Sequence, residues 1–527
     1  RARHDAIAGD REQAVRYFPV AGDSAAALYA NTEAAAHYRR ALALAREAGN
    51  GAGAQLERLY LQLGRALELD AHYDEAVALY AEMETAAHLH NDRAMELASL
   101  LARATIRTTV NFARNPARGQ ILLERARDLA IELGDQAAEA RILWNLLILS
   151  AYTGGDRVQR LVYGEQALAL VRRLDRPEQL AFTLHDIFYA YAGSGQWRRA
   201  EESLTEARAL WQTLGNLPML SETLMRLHWI YLVTGRYEQA ALYAEEAFRL
   251  GQECHNRDAQ ALGHFMIGFV HWERGEIDRA QAVMEEDIAI AESVNSLTPL
   301  TGTRADLGLL YGELGDIDRG LALAAQAHAT AEEQLPILRC WSQAVLVLLH
   351  LRRGNRAAAT ALMTSLTDYR TLKAQFGYMP FMWVRVGLAQ GEVALVNGEP
   401  AQAVALMDNL YQDLDAAGIW YLRPDVLHLK GRALLGLGSD RLAEAHAVLM
   451  DARAAAETIG SQRALWPILL DLHAVALQMD KPPTAKVLRQ EARSIVQEIA
   501  GHIASPALRA GFLGMPRVNF HLTCEQR

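Results

Sequence analysis

The chain has 527 residues, half of them apolar and 22% charged, and carries a net charge of −10 from 63 acidic and 53 basic side chains. That balance argues against a non-specific nucleic-acid surface, which needs a basic face, and no apolar run approaches the ~18 residues of a membrane span. Cys254, Cys340 and Cys524 are far apart and odd in number, which fits a reducing, cytoplasmic setting and no disulfide framework. The first residue is Arg1 rather than Met, so it is not expected to be the natural start.

In chain order, residues 1–50 read as a helical entry segment with a first helix pair, 51–500 as a helical solenoid and 501–527 as a C-terminal tail. Within the solenoid one turn keeps returning. "YLVTGRYEQA" begins at Tyr231; about 40 residues later the chain reads "VHWERGEIDRA", and about 40 after that "YGELGDIDRG". Turn positions fall at Asn31, Ala71, Asn115, Gly155, Gly195, Gly235, Gly275, Gly315, Gly354, Gly398, Gly438 and Asp480, spaced 39 to 44 residues apart. Five residues after the turn sits a small residue: Ala36, Ala76, Ala200, Ala240, Ala280, Gly320, Ala359, Ala403, Ala443 or Ala485. Seven before it there is often Gly (Gly64, Gly268, Gly308, Gly391, Gly431), and four before it a ring (Tyr191, Tyr231, His271, Tyr311, His350). These offsets predict two antiparallel helices whose backbones approach at the small residues, joined by a turn with φ > 0.

Both arms carry helical periodicity. "RAEESLTEARALWQTLG" (199–215) places apolar residues at i, i+3, i+4 and i+7, and Pro218, Pro299 and Pro380 suit helix N-termini. Strand signals are missing. One helix pair cannot bury its apolar face alone, so the repeat predicts an all-α solenoid of about 11–12 stacked units, each touching mainly its neighbours. The units at Asn115 and Gly155 are irregular, with Gln120 and Arg160 where the small residue belongs.

Small at −7, Tyr at −4, Gly at the turn and Ala at +5 resemble the tetratricopeptide (TPR) pattern, in a unit longer than the usual ~34 residues. The longer unit resembles the TPR-like superhelix of MalT-type bacterial regulators. The end segments, "AGDREQAVRYFPVAGDSAAALYANTEAAAHYRRALALAREAG" and "EARSIVQEIAGHIASPALRAGFLGMPRVNF", are similar to those that flank such regions in bacterial signalling proteins. That group includes class III adenylate/guanylate cyclases with an AAA/STAND-type ATPase. The resemblance implies a right-handed superhelix, and N-terminal ATPase or effector domains of the same protein as partners.

No catalytic motif accompanies the repeat. GxxxxGK[ST], GxSxG, HExxH and CxxC are missing, so neither a cofactor nor a metal is expected. His88 and His90 at i, i+2 point apart on a helix and read as a solvated helix end. His264 and His271 read as packed or capping, and Cys340 as a small buried hydrophobe. In TPR-like arrays the first helix of each pair lines the concave side. Three offsets there give Asn145, Tyr152, His185, Tyr189, Met225, Trp229, Phe265, Phe269 and Trp272. This aromatic stripe reads either as a groove for a protein, a peptide or a small apolar ligand, or as packing between units of a tight superhelix. The expected role is a non-catalytic sensor or scaffold arm controlling an effector outside this chain. The alternatives are a stand-alone TPR adaptor and, with nothing but the stripe behind it, an enzyme with a helical active site.

Overall fold

A computed structural model describes residues 11–47, 54–109 and 111–523; Cys524 and both chain ends lie outside this range. All regular structure among the described residues is helical, in antiparallel pairs, with no strand. The fold is a TPR-like solenoid. By contacts it divides into two compact bodies, residues 1–190 and 191–527, a division that the repeat spacing does not mark.

Nine of the twelve expected turn positions have positive φ: Ala71, Gly195, Gly235, Gly275, Gly315, Gly354, Gly398, Gly438 and Asp480. In these turns, Gly438 excepted, the next residue's N–H reaches back to the carbonyl five residues earlier, as in Arg236 N to Tyr231 O (2.7 Å) and Asp316 N to Tyr311 O (2.9 Å). That bond satisfies a carbonyl which the helix end would otherwise leave open. Three positions need correction. The left-handed residue is Tyr29 rather than Asn31, and Gly154 rather than Gly155. Asn115 is extended and caps the helix Pro116–Leu133, its side chain accepting from Arg118 N. The shift from Asn31 to Tyr29 explains why Ala36 is exposed while Ala34 is buried in its place. At Ala443 a short 3-10 turn, Ser439–Arg441, delays the helix, so Ala445 takes the buried position.

The glycines seven before the turn do what their spacing predicts. A Cβ on Gly64 would lie 2.2 Å from the Tyr80 ring, one on Gly391 2.6 Å from Met407 Cε, and one on Gly308 2.7 Å from Gly320 O. Each contact is to the second helix of the same unit. A second family of left-handed turns, at Asn91, Gly134, Gly215, His255, Asn295, Gly418 and Gly460, links most second helices to the next first helix. The sequence reading missed it because its residue type varies.

Within the body 191–527 the chain does not touch only its neighbours. Trp420 N donates to Val233 O (2.8 Å), Arg463 pairs with Glu273, and Asp278 N donates to His502 O (2.9 Å). These partners lie roughly five units apart along the repeat, so the superhelix comes round onto itself. The turn glycines sit at the crossing. A Cβ at Gly235 would lie 2.8 Å from Ile459 Cγ2, and one at Gly275 2.8 Å from Ile499 Cγ1, whereas Gly398 has nothing within 4 Å.

Gly398→Ala should therefore cost only the left-handed strain, about 1 kcal/mol. Gly235→Ala and Gly275→Ala should add a steric term of about 1 kcal/mol or more. Denaturant unfolding checks this, and equal losses at all three positions would refute the close crossing.

Candidate functional site

The aromatic stripe is divided between the two bodies. In residues 1–190, Asn145 is buried, accepting from Thr108 Oγ1 (2.8 Å) and donating to Arg141 O (3.0 Å). Tyr152 is half-buried, with its hydroxyl 2.5 Å from that of Tyr189 and the rings edge to face at 5.3 Å. Tyr189 and His185 are buried.

In residues 191–527, Met225 is half-buried, while Trp229, Phe265, Phe269 and Trp272 are buried. They fill the inside of the superhelix. Trp229 lies 4.7 Å from Phe381 and 6.2 Å from Phe265, and Trp341 meets Phe381 at 4.8 Å. Phe269 packs on Tyr421 at 5.0 Å, and the Arg463 guanidinium lies 5.3 Å from the Trp272 ring. Seven of the nine stripe residues thus pack against other helices, and only Tyr152 and Met225 keep part of their surface open. Within residues 191–527 the superhelix is tight enough to place Trp229, Phe265 and Phe269 in ring contact with other helices.

Beside the rings lies a buried ionic layer that the sequence reading did not single out. Arg463 donates from Nε to Glu273 (2.5 Å) and from Nη2 to Asp425 (2.7 Å), and Ser461 Oγ also donates to Glu273 (2.5 Å). Arg385 pairs with Asp306 (2.9 Å) and donates to the Tyr421 hydroxyl (2.9 Å). Burial alone would lower the Arg463 pKa, but Asp425, Glu273 and Glu313 hold it well above the usual arginine value. Burial raises Glu273 and Asp306, against the pull of Arg463 and Arg385 respectively. The only trace in the sequence is a charge inside or beside an apolar run, as in "MWVRVGL" and "TRADLGLL". Nothing local says that Asp306 and Arg385 meet.

The single residues considered from sequence fall as follows. His264 stacks on Phe248 (3.6 Å), and burial depresses its pKa to about 4; His271 Nδ1 lies 2.6 Å from Glu276. Cys340 is buried. Glu84, His88 and Glu96 come close enough to share an ion. Their carboxylates are already paired, however: Glu84 with Arg103 and Arg125 (2.6 Å to Arg125), and Glu96 with Arg93 (2.7 Å). Basic side chains thus already offset the charge that would attract a cation. Among the described residues, no helix is long and apolar enough to cross a membrane.

Two outcomes follow from the burial. Trp229→Ala and Trp272→Ala should each cost about 3–5 kcal/mol of stability. Losses under about 1 kcal/mol in denaturant unfolding would mean that the rings are exposed in solution. Asp287, buried on the helix Ile277–Val294 and bonded to the Thr303 hydroxyl, has its pKa raised by burial from 3.8 to about 8. The folded state then holds a proton that the unfolded state releases, so this group's contribution is full below pH 3.8 and falls as pH rises towards about 8. Asp287→Asn should flatten that fall, by about 1 kcal/mol per pH unit across the window. An unchanged pH profile would refute the neutral carboxyl.

Comparison with known proteins agrees with this architecture. The family model for the MalT-like TPR region matches residues 146–465. No curated protein matches. Among solved structures, aspartyl phosphate phosphatase F from Bacillus subtilis shares 12% identity, covering 68% of this chain and 93% of its own, with a TM-score of 0.43. Yeast Tom70 shares 14% identity over 97% of this chain and 96% of its own, with a TM-score of 0.33. BtubC from P. vanneervenii shares 18% over 42% of this chain and 91% of its own, with a TM-score of 0.35. At such scores the assignment rests on the sequence match, which spans more than half the chain together with the turns and glycine contacts described above: the chain belongs to the MalT-like TPR region family.

Proposed function

We propose that the chain is a binding scaffold of the TPR adaptor kind, holding a protein or peptide partner and performing no chemistry. The observation that carries this is the family match across residues 146–465, in a fold typical of non-catalytic interaction modules. The buried ionic layer does not argue for catalysis. Its acids and bases are spent on one another, as in Arg463 with Glu273 and Asp425 and Arg385 with Asp306.

A small apolar ligand in the groove is the less favoured occupant, because Trp229, Phe265, Trp341 and Phe381 already fill the inside of residues 191–527. In this reading the partner lies along a part-open first helix, either at Tyr152 in residues 1–190 or at Met225 in residues 191–527. A narrower reading makes the chain a sensor arm for an ATPase, cyclase or regulator module of the same polypeptide. It is supported by the resemblance of the repeat unit and of the two end segments alone, so the adaptor reading is preferred.

Peptide-display selection on the purified chain tests the proposal, followed by hydrogen exchange with and without a selected peptide. The expected result is micromolar binding that slows exchange in the helices Gln136–Thr153 or Leu217–Val233. Selection that yields no binder, or protection confined to the second helices, would overturn it.

A further inference from the structure

Two first helices are broken: 177–193 at Ile187, where the backbone stays right-handed, and 257–273 at Met266, where it does not and where both neighbours are straight. Helices Leu217–Val233 and Leu297–Glu313 each run 17 residues without interruption. The equivalent stretch between them, at the same register, is split into Arg257–His264 and Ile267–Glu273. No residue is inserted or lost, so the same segment could form one continuous helix.

The break is strained. Met266 stands at φ +70° with its side chain only 4% exposed. Most other non-glycine residues with positive φ (Ala71, Asn91, His255, Asn295, Asp480) are exposed turn residues at helix ends. The exception is Leu422, at φ +53° and also 4% exposed, which precedes the helix Arg423–Gly436. The two strained residues flank one contact. Phe269, three residues after Met266, packs at 5.0 Å on Tyr421, beside Leu422. The backbone at Trp420 and Tyr421 is tied to Val233 O (2.8 and 3.2 Å). The break also turns Phe265 inward, where Gly302 makes room: a Cβ there would lie 2.7 Å from the Phe265 ring. The far end of the broken helix is held by Glu273 through Ser461 and Arg463.

Two buried side chains in a conformation that L-residues avoid persist only if their surroundings hold them there. We propose that this joint is a conformational switch. In its second state, residues 257–273 form one straight helix, the loop at Gly418–Leu422 leaves Phe269, and the inner rings open. The Glu273–Arg463 pair is the catch that keeps the present, closed state. The inference does not depend on the partner reading, since the joint can open with or without a bound peptide.

The test compares Met266→Gly with Met266→Ala in the full chain. Both lose the same side chain beyond Cβ, so their difference reports the backbone. Gly is favoured over Ala at positive φ, and Ala over Gly in a continuous helix. Ala should therefore favour the open state relative to Gly by roughly thirtyfold, the sum of the two preferences. Hydrogen exchange at Trp420 and Tyr421, whose N–H groups bond to Val233 O in the closed state, is the readout, expected to be faster in Met266→Ala by about that factor. Equal rates, or faster exchange in Met266→Gly, would overturn the proposal. If either variant fails to fold, the Leu422→Gly and Leu422→Ala pair gives the same comparison from the other side of the joint. The unmodified chain supplies a third check. The Trp420 and Tyr421 N–H groups should exchange faster than amides inside the straight helices 217–233 and 297–313, and equal protection would count as refutation.

Discussion

Each unit depends on the contact between the backbones of its two helices. At Gly308 and Gly320 that contact is closest: a Cβ on either glycine would lie within 2.7 Å of the other's carbonyl oxygen. Ordinary side chains would push the helices apart, toward the 8–10 Å spacing of common helix packing. Small residues at this crossing let the first helix sink against the second. The left-handed turn that follows reverses the chain within a few residues, so the pair is both tight and short. Stacking such pairs gives a superhelix that bends sharply and soon meets itself.

That meeting decides what the inner surface is for. In residues 191–527 the first helices approach from units about four apart, and large rings fill the space between them. Ring-to-ring burial of this kind stabilises a fold more than any surface ion pair does. The charges beside the rings are a different matter. Removing Arg463 from water is costly, and its pairing with Glu273 and Asp425 offsets that cost only because the geometry is close. A buried pair of this kind serves to select one register of one turn of the superhelix on the next. It resembles the role of a lone polar residue in a coiled-coil seam.

The turn glycines show how one residue type can answer two constraints. Gly398 is needed for its φ of +82° alone. Gly235 and Gly275 have the same backbone conformation, and in addition Ile459 and Ile499 press where a side chain would be. Gly195, Gly235 and Gly275 meet the next superhelical turn at residues 417, 459 and 499. The repeat length and the superhelical period are thus matched at these glycines.

The sequence by itself determined the helix pairs, most of the turns, the close approach at the −7 glycines and the family. These depend on residues a few positions apart, and the ~40-residue period repeats the same local evidence many times over. It also narrowed the stripe to two readings, groove or packing. Choosing between them needed the curvature of the superhelix, which accumulates from small rotations at every unit and is written in no single one of them. The partnership of Arg463 with Glu273, and of Trp229 with Phe381, was beyond reach for the same reason: each joins residues many units apart. The kink at Met266 was hidden too, because its segment has the length and spacing of a straight helix. The break lies where Phe265 and Phe269 pack against distant rings, contacts that exist only after the superhelix has closed.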